Sequence, residues 1–249
     1  MKFCFLILSA PYSPWKQLLE DCAKQTWLKH LNKEHAYFSY MGKQGSTLKG
    51  KFRNRIINTR PGLVLWKSNL NTMLPSRFDG ANSIEVDVTD SWDVMTSKFL
   101  SALNLVNETI DFDFLVKINT TTYVNVPALE RLLSPRIREI YWGGAISKGK
   151  AFTGGWATIL SKTLVNCVLK ETVNLSEQFP AKYEDEALGI ILRNLGVVPH
   201  AMDFLEIASQ HNIQNASIEH TPFFRIKSSG NRELVEPKIF RGLDAKFQL

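Results

Sequence analysis

The sequence predicts an α/β protein with a mainly parallel central sheet and helices on both of its faces. Short apolar runs of strand length alternate with segments of helical periodicity along most of the chain, and such alternation packs as a parallel sheet between helices. The first of these runs, residues 3–9 (FCFLILS), is continuously apolar, as a strand buried on both faces is. The chain has 249 residues, 44% of them hydrophobic and 22% charged, which suits one α/β domain, residues 1–249, with a sizeable core.

Residues 3–9 supply the first strand, which the loop Pro11-Tyr12-Ser13-Pro14 ends. The run is short for a signal-peptide core and no small-residue cleavage site precedes Pro11, which favours the strand. Residues 15–30 place Leu18, Leu19, Cys22, Ala23 and Trp27 near helical spacing, and residues 35–41 (HAYFSYM) read as a second strand. The basic stretch 42–60 reads as a surface loop and 62–66 as a short strand. Residues 83–88 (SIEVDV) alternate like a half-buried strand. Residues 92–109 then carry Met95, Phe99, Leu103 and Val106 on one helical face, with Asp90 or Ser91 as the N-cap. Residues 113–118 (DFLVKI) are the next strand, the polar run 119–122 follows, and Pro127 opens a helix to about Leu133. Residues 139–146 and 153–160 read as strands, 161–170 and 183–195 as helices, with Gly196 ending the last. Val197 and Val198 begin a final strand, and the tail from about 205 has little periodicity and reads as loops covering one end of the sheet.

Lys and Arg number 30 against 24 Asp and Glu, a net charge of +6 that suits an anionic ligand such as a nucleotide diphosphate. No basic block is dense enough for a nucleic-acid surface, so no nucleic-acid partner is expected. Cys4, Cys22 and Cys167 are widely spaced in apolar contexts, without a CxxC pair, and read as buried free thiols in a reducing compartment. No stretch approaches the ~18 apolar residues of a membrane helix, which predicts a cytoplasmic protein, free or peripheral to a membrane.

Five segments carry the chemistry. They are Lys24-Gln25-Thr26-Trp27; Asp87-Val88-Thr89-Asp90-Ser91-Trp92 with Lys98 beyond; and Phe114 to Ile118 running into Tyr123-Val124-Asn125-Val126-Pro127. The fourth is Thr153-Gly154-Gly155-Trp156-Ala157, and the fifth Glu184-Asp185-Glu186-Ala187-Leu188-Gly189 with Leu195-Gly196-Val197 and Pro199. In this order, over residues 3–200, they resemble the β-1,3-galactosyltransferase and Fringe type of GT-A glycosyltransferase. The resemblance implies a GT-A fold and a hexosyltransferase that passes a sugar from a UDP-sugar donor to a glycan or glycoconjugate hydroxyl with inversion, in the building of a surface polysaccharide or glycoconjugate.

It also implies the roles of particular residues. Asp185 is the general base that takes the acceptor hydroxyl's proton, and Glu184, Gly154, Gly155 and Trp156 face the sugar or acceptor. Trp156 and Trp142 serve either sugar stacking or core packing. Ser9, Ala10, Pro11, Asp90 and Lys98 lie on the nucleotide side. In the family an acidic Asp-x-Asp run after the third segment's strand holds a dication, usually manganese. Here Asn119, Thr120 and Thr121 stand there, and their neutral oxygens are weak ligands for a hard dication. The expectation is therefore no required cofactor, at most weak manganese binding, and a diphosphate met by basic residues. Those residues are His220, Arg225 and Lys227 in the tail, with Lys148 and Lys150 as further candidates. Asp111-Phe112-Asp113 also spells Asp-x-Asp, but it precedes its strand and reads as a strand-entry turn. The alternative to an enzyme is a catalytically degenerate relative that binds a sugar nucleotide or glycan, or supports a partner enzyme.

Overall fold

The computed structural model of the chain describes residues 1–44, 74–91, 94–146, 151–172, 183–214 and 219–247. Its strands are β1 (Phe3–Leu8), β2 (Ala36–Lys43), β3 (Ser76–Phe78), β4 (Ser83–Thr89), β5 (Phe114–Asn119), β6 (Thr122–Val124), β7 (Trp142–Ile146), β8 (Thr153–Ser161), β9 (His200–Ala201), β10 (Phe204–Ile207) and β11 (Phe223–Ile226). Its α-helices are α1 (Trp15–Leu18), α2 (Met95–Thr109), α3 (Val126–Leu133), α4 (Lys162–Thr172), α5 (Glu184–Asn194), α6 (Gln210–Gln214) and α7 (Arg232–Phe247).

The fold is mixed α/β. Eight strands form the central sheet in the order β3-β4-β2-β1-β5-β8-β7-β9. The block β4-β2-β1-β5 is parallel, as predicted. Beyond it, β8 runs antiparallel to both β5 and β7, and β3 runs antiparallel to β4, so the sheet is parallel at its centre and mixed at its flanks. β1 shows why its run is continuously apolar. Phe3, Phe5 and Ile7 enter one core with Leu18, Trp27, Leu129 and Phe240, while Cys4 and Leu6 enter a second core with Phe99, Leu103, Val165 and Ile191. Alternate side chains of a strand point to opposite faces, and here each face is covered by helices. After β1 the chain moves outward to β2 and β4, then returns through α2 to β5 on the other side of β1. The carboxyl ends of β1 and β5 therefore flank a switch point, where open α/β sheets leave a crevice.

Several elements differ from the sequence reading. The predicted helix over 15–30 is α1, a π-helical turn (Leu19–Ala23) and a separate 3-10 turn (Trp27–His30). Thr26 stands between the turns with ψ of −117° and bonds its hydroxyl back to the Cys22 carbonyl at 2.7 Å. Such back-bonding is a local competitor of helix continuation. α2 begins at Met95 after Val94, and neither Asp90 nor Ser91 caps it. α3 is capped as its sequence suggests, Asn125 accepting from the Ala128 N–H at 3.2 Å with Pro127 in the first turn. Val197 and Val198 precede rather than form a strand, which is the two-residue β9. The tail is not loops: β10, β11 and β6 make a second, three-stranded sheet, and the 16-residue α7 packs Ile239, Phe240 and Leu243 into the first core. The surface loop expected over 42–60 begins inside a strand, since Gly42 and Lys43 belong to β2; its residues from 45 on and the short strand expected over 62–66 lie outside the described residues.

Candidate functional site

The crevice at the switch point is a cleft of about 270 Å³, close to the lower size of small-molecule sites. From the end of β1 and the loop after it come Leu8, Ser9, Ala10 and Tyr12, from the start of α1 Trp15, and from just after β4 Asp90 and Ser91. Met95 and Lys98 come from α2, and Asn119 and Thr120 from the end of β5. Because β8 runs opposite to β5, its first residues reach the same end, bringing Gly155 and Trp156. The start of α5 brings Tyr183, Glu184 and Asp185, and β11 brings Arg225.

The acidic side chains are held differently. Asp90 is buried, with Oδ2 accepting from the Gly42 N–H at 2.8 Å and Oδ1 from Lys98 Nζ at 2.9 Å. Lys98 is itself only 2% exposed, so its charge is spent on Asp90. Glu184, 4% exposed, accepts Lys117 Nζ on Oε1 at 2.6 Å, and its Oε2 has no hydrogen-bond partner among the described residues. Asp185 is half-buried, accepting the Gly155 N–H on Oδ2 at 3.1 Å and the Glu186 N–H on Oδ1 at 2.9 Å. It sits in the first turn of α5, where the helix dipole favours a carboxylate. Gly155 is the hinge of this arrangement. A Cβ there would stand 2.7 Å from Lys117 Nζ and 3.0 Å from Glu184 Oε1, so the backbone comes close only because no side chain intrudes.

Two buried polar atoms of lining residues are also unpartnered among the described residues, Ser9 Oγ and Thr120 Oγ1; so is the hydroxyl of Tyr40, which lies in the second core and not in the lining. Native interiors rarely leave such atoms unpaired, and in a cleft wall they are available to a polar ligand. Burial, reinforced by Glu184, Asp90 and Asp185, pushes the Tyr40 phenol well above its ordinary range. Tyr12 is raised by burial and by Asp90.

Asn119 does not replace a metal-binding carboxylate. Its Oδ1 accepts the Thr121 N–H at 3.1 Å and the Thr121 hydroxyl at 2.8 Å, while the Thr122 hydroxyl, 3.1 Å away, donates at 2.8 Å to the Trp156 carbonyl. The two donors from Thr121 take both lone pairs of the amide oxygen, so the side chain organises the turn between β5 and β6. No group of three His, Cys, Asp or Glu side chains suited to a metal ion occurs among the described residues. The manganese that the resemblance implies therefore does not fit the Asn119 turn.

That turn carries the basic side of the cleft. Thr121 faces away from it and accepts the Ile226 N–H on its carbonyl at 2.8 Å, and β11 pairs antiparallel with β6, Arg225 opposite Thr122. Arg225 is thereby held over the Trp156 ring at 5.3 Å, half-exposed, with a 3.4 Å contact to Glu206. Trp156 packs edge-on against Phe204 at 4.6 Å while still facing the cleft. Trp142 is wholly core and donates to Thr153 at 3.0 Å.

Some predicted residues are not brought to the cleft lining. Pro11 and Gly154 lie next to lining residues, Thr121 is turned into the second sheet, and Lys227 is exposed, 3.6 Å from Glu206. His220 is exposed beside the start of α3, where the adjacent Glu219 carbonyl accepts from Arg131. Lys148 and Lys150 lie outside the described residues. Asp111 and Asp113 are at the opposite end of β5, bonded to Lys2. Burial pushes the Cys4 and Cys22 thiols up to about 12, as for inert core residues, while Cys167 is half-exposed rather than buried. Sequence reasoning missed Tyr12, Trp15 and Ser91, which the rule for carboxyl-end loops reaches. It also missed Lys117 and Tyr40, for which no local signal exists.

No protein-family model and no curated protein matches the chain. Solved structures similar to it include galactosyltransferase LgtC in complex with donor and acceptor sugar analogues, at 13% identity over 99% of this chain and 96% of that one, with a TM-score of 0.47. Another is apo glycosyltransferase GlyE of Streptococcus pneumoniae TIGR4, at 10% identity over 100% of this chain and 60% of that one, with a TM-score of 0.46. Both are glycosyltransferases. At such identity and overlap no residue role passes from them to this chain, and the Fringe-type family is not shown by them. No described helix is long and apolar enough to cross a membrane.

Proposed function

We propose that the chain is an inverting glycosyltransferase of GT-A type that moves a sugar from a UDP-sugar to a hydroxyl of a glycan or glycoconjugate, without a required metal. The observation that carries this reading is the meeting, in one cleft at the carboxyl ends of β1 and β5, of the Asp185 carboxylate with Arg225 and a floor of unpartnered polar atoms. In the reaction Asp185 takes the proton of the acceptor hydroxyl as that oxygen attacks the anomeric carbon from the face opposite the diphosphate. The bond from the anomeric carbon to the diphosphate oxygen breaks, and the nucleotide diphosphate leaves with both electrons of that bond. Arg225 is the cleft's half-exposed cation and meets the growing phosphate charge, which a guanidinium pairs with bidentately. Ser9, Ala10 and Ser91 face the nucleoside, with Tyr12 and Trp15 as aromatic walls, and Trp156 backs the sugar.

Calorimetry of purified protein with UDP and several UDP-sugars, with manganese and then with a chelator, tests the reading. UDP binding that chelation leaves unchanged is expected; no nucleotide binding in either condition overturns it. Asp185→Asn is expected to keep UDP affinity and lose about 10²–10⁴ in turnover. A wild-type protein that binds UDP but transfers no sugar is the binding-protein alternative instead.

A further inference from the structure

We propose that Lys117 is a positioning residue whose ammonium ties Glu184, the residue before Asp185, to Gly155, whose N–H holds the Asp185 carboxylate; this rests on the reading of Asp185 as the base. Lys117 lies in the middle of β5, 1% exposed, between the fully buried Val116 and Ile118. An ammonium in such a place is stable only when charge and hydrogen bonds compensate it. Nζ donates to Glu184 Oε1 at 2.6 Å and to the Gly155 carbonyl at 2.7 Å, and it lies 5.9 Å from the centre of the Phe99 ring. These two acceptors stand on either side of Asp185. Glu184 immediately precedes it at the start of α5, and the peptide N–H of Gly155 donates to its Oδ2 at 3.1 Å. One buried cation thus ties the first residue of the helix to the strand peptide, and the carboxylate is set between them. The absence of a side chain at Gly155 is what lets the ammonium reach the carbonyl.

A pair that served only to balance charge would be replaceable by uncharged residues of similar volume without loss. The positioning role is not replaceable in that way, because the Gly155 carbonyl loses its donor. The test compares wild type, Glu184→Gln and the double variant Lys117→Met with Glu184→Gln, which buries no unpaired charge. Urea denaturation establishes that the double variant folds, with a midpoint no lower than that of Glu184→Gln, which itself buries an unpaired ammonium. Selective ¹⁵N-glycine labelling then reads hydrogen exchange at the Gly155 amide, and steady-state kinetics with a UDP-sugar read kcat and KM. The double variant is expected to exchange the Gly155 amide at least about tenfold faster than Glu184→Gln, as the Asp185 contact loosens. Its kcat is expected to be about 10²-fold lower than that of Glu184→Gln, with KM for the donor unchanged. Unchanged Gly155 exchange overturns the proposal, as does a faster exchange with an equal kcat. If wild type itself transfers no sugar, the transfer reading fails, and the exchange measurement alone decides whether Lys117 holds Asp185.

Discussion

Two lysine–carboxylate pairs stand in the walls of one cleft, and they are finished differently. On the β4 side both oxygens of Asp90 are taken, by Lys98 and by the Gly42 N–H. On the β8–α5 side Lys117 takes one oxygen of Glu184, and the other has no partner among the described residues. Burial is nearly the same, 2% and 4% for the side chains of the first pair and 1% and 5% for those of the second, so depth does not separate them. The first pair is thus complete within the protein, and the second keeps one acceptor unfilled. A completed pair has nothing left to give, whereas an unfilled acceptor beside a half-buried carboxylate is a place for hydroxyl donors.

The comparison is broken most severely from its completed side. Lys98→Met leaves Asp90 buried with one neutral donor, and removing one partner of a buried pair costs about 3–5 kcal/mol. Urea denaturation is expected to show that loss, while the UDP affinity of the protein that remains folded changes little. A stable variant that no longer binds UDP would move the first pair to the ligand side and dissolve the contrast.

Arg225 tests the ligand from the other direction. A hydrogen bond to a charged group contributes about 1.5–3 kcal/mol, so Arg225→Gln is expected to weaken UDP binding about tenfold to a hundredfold. The wild-type affinity should also fall as salt rises, and that of the variant less so. An unchanged UDP affinity would mean that the cleft meets phosphate charge elsewhere.

How much of this was legible in the sequence depends on the range of each interaction. β1 was readable because both of its faces are buried, and α3 because Asn125 and Pro127 cap it within three residues. Asp185 and Gly155 were singled out by resemblance, and the cleft contains both. Lys117 in an apolar strand has a meaning only through Glu184, 67 residues away, and Tyr40 only through carboxylates on β4's end and α5. The Asn119 turn reads as a weakened metal site because composition shows an amide, not the two Thr121 donors that occupy it. α7 was missed for a related reason: it buries Glu236 against Arg232 and Asp244 near Lys29, and it contains Pro237, so its charges and its proline hide the apolar face.

Gly155→Ala sharpens the contrast at the second pair. The new methyl stands 2.7 Å from Lys117 Nζ and 3.0 Å from Glu184 Oε1, tighter than atoms in contact allow. Overpacking of this kind costs about 1–3 kcal/mol. Turnover is expected to fall along with stability, because the same residue carries the N–H that holds Asp185. A variant with native stability and native turnover would show that the pair gives way freely and that its geometry sets nothing.

The smallest effect belongs to Tyr40, the phenol lying near the carboxylates of both pairs. Its hydroxyl has no partner among the described residues, so Tyr40→Phe removes no hydrogen bond, and stability near neutral pH should change by less than about 1 kcal/mol. The alkaline limb is different. Burial raises the phenol's pKa in the folded state above its ordinary value of 10.0. The unfolded chain therefore releases this proton first, and the contribution of the neutral phenol is complete below about pH 10 and lost as pH rises beyond it. Tyr40→Phe removes that proton, and its stability should fall less steeply than that of wild type above about pH 10. Parallel alkaline limbs, measured by urea denaturation across that range, would mean that the phenol ionises as freely folded as unfolded. In that case the core between the two pairs is open to water, and the unpaired oxygen of Glu184 no longer marks a ligand-facing wall.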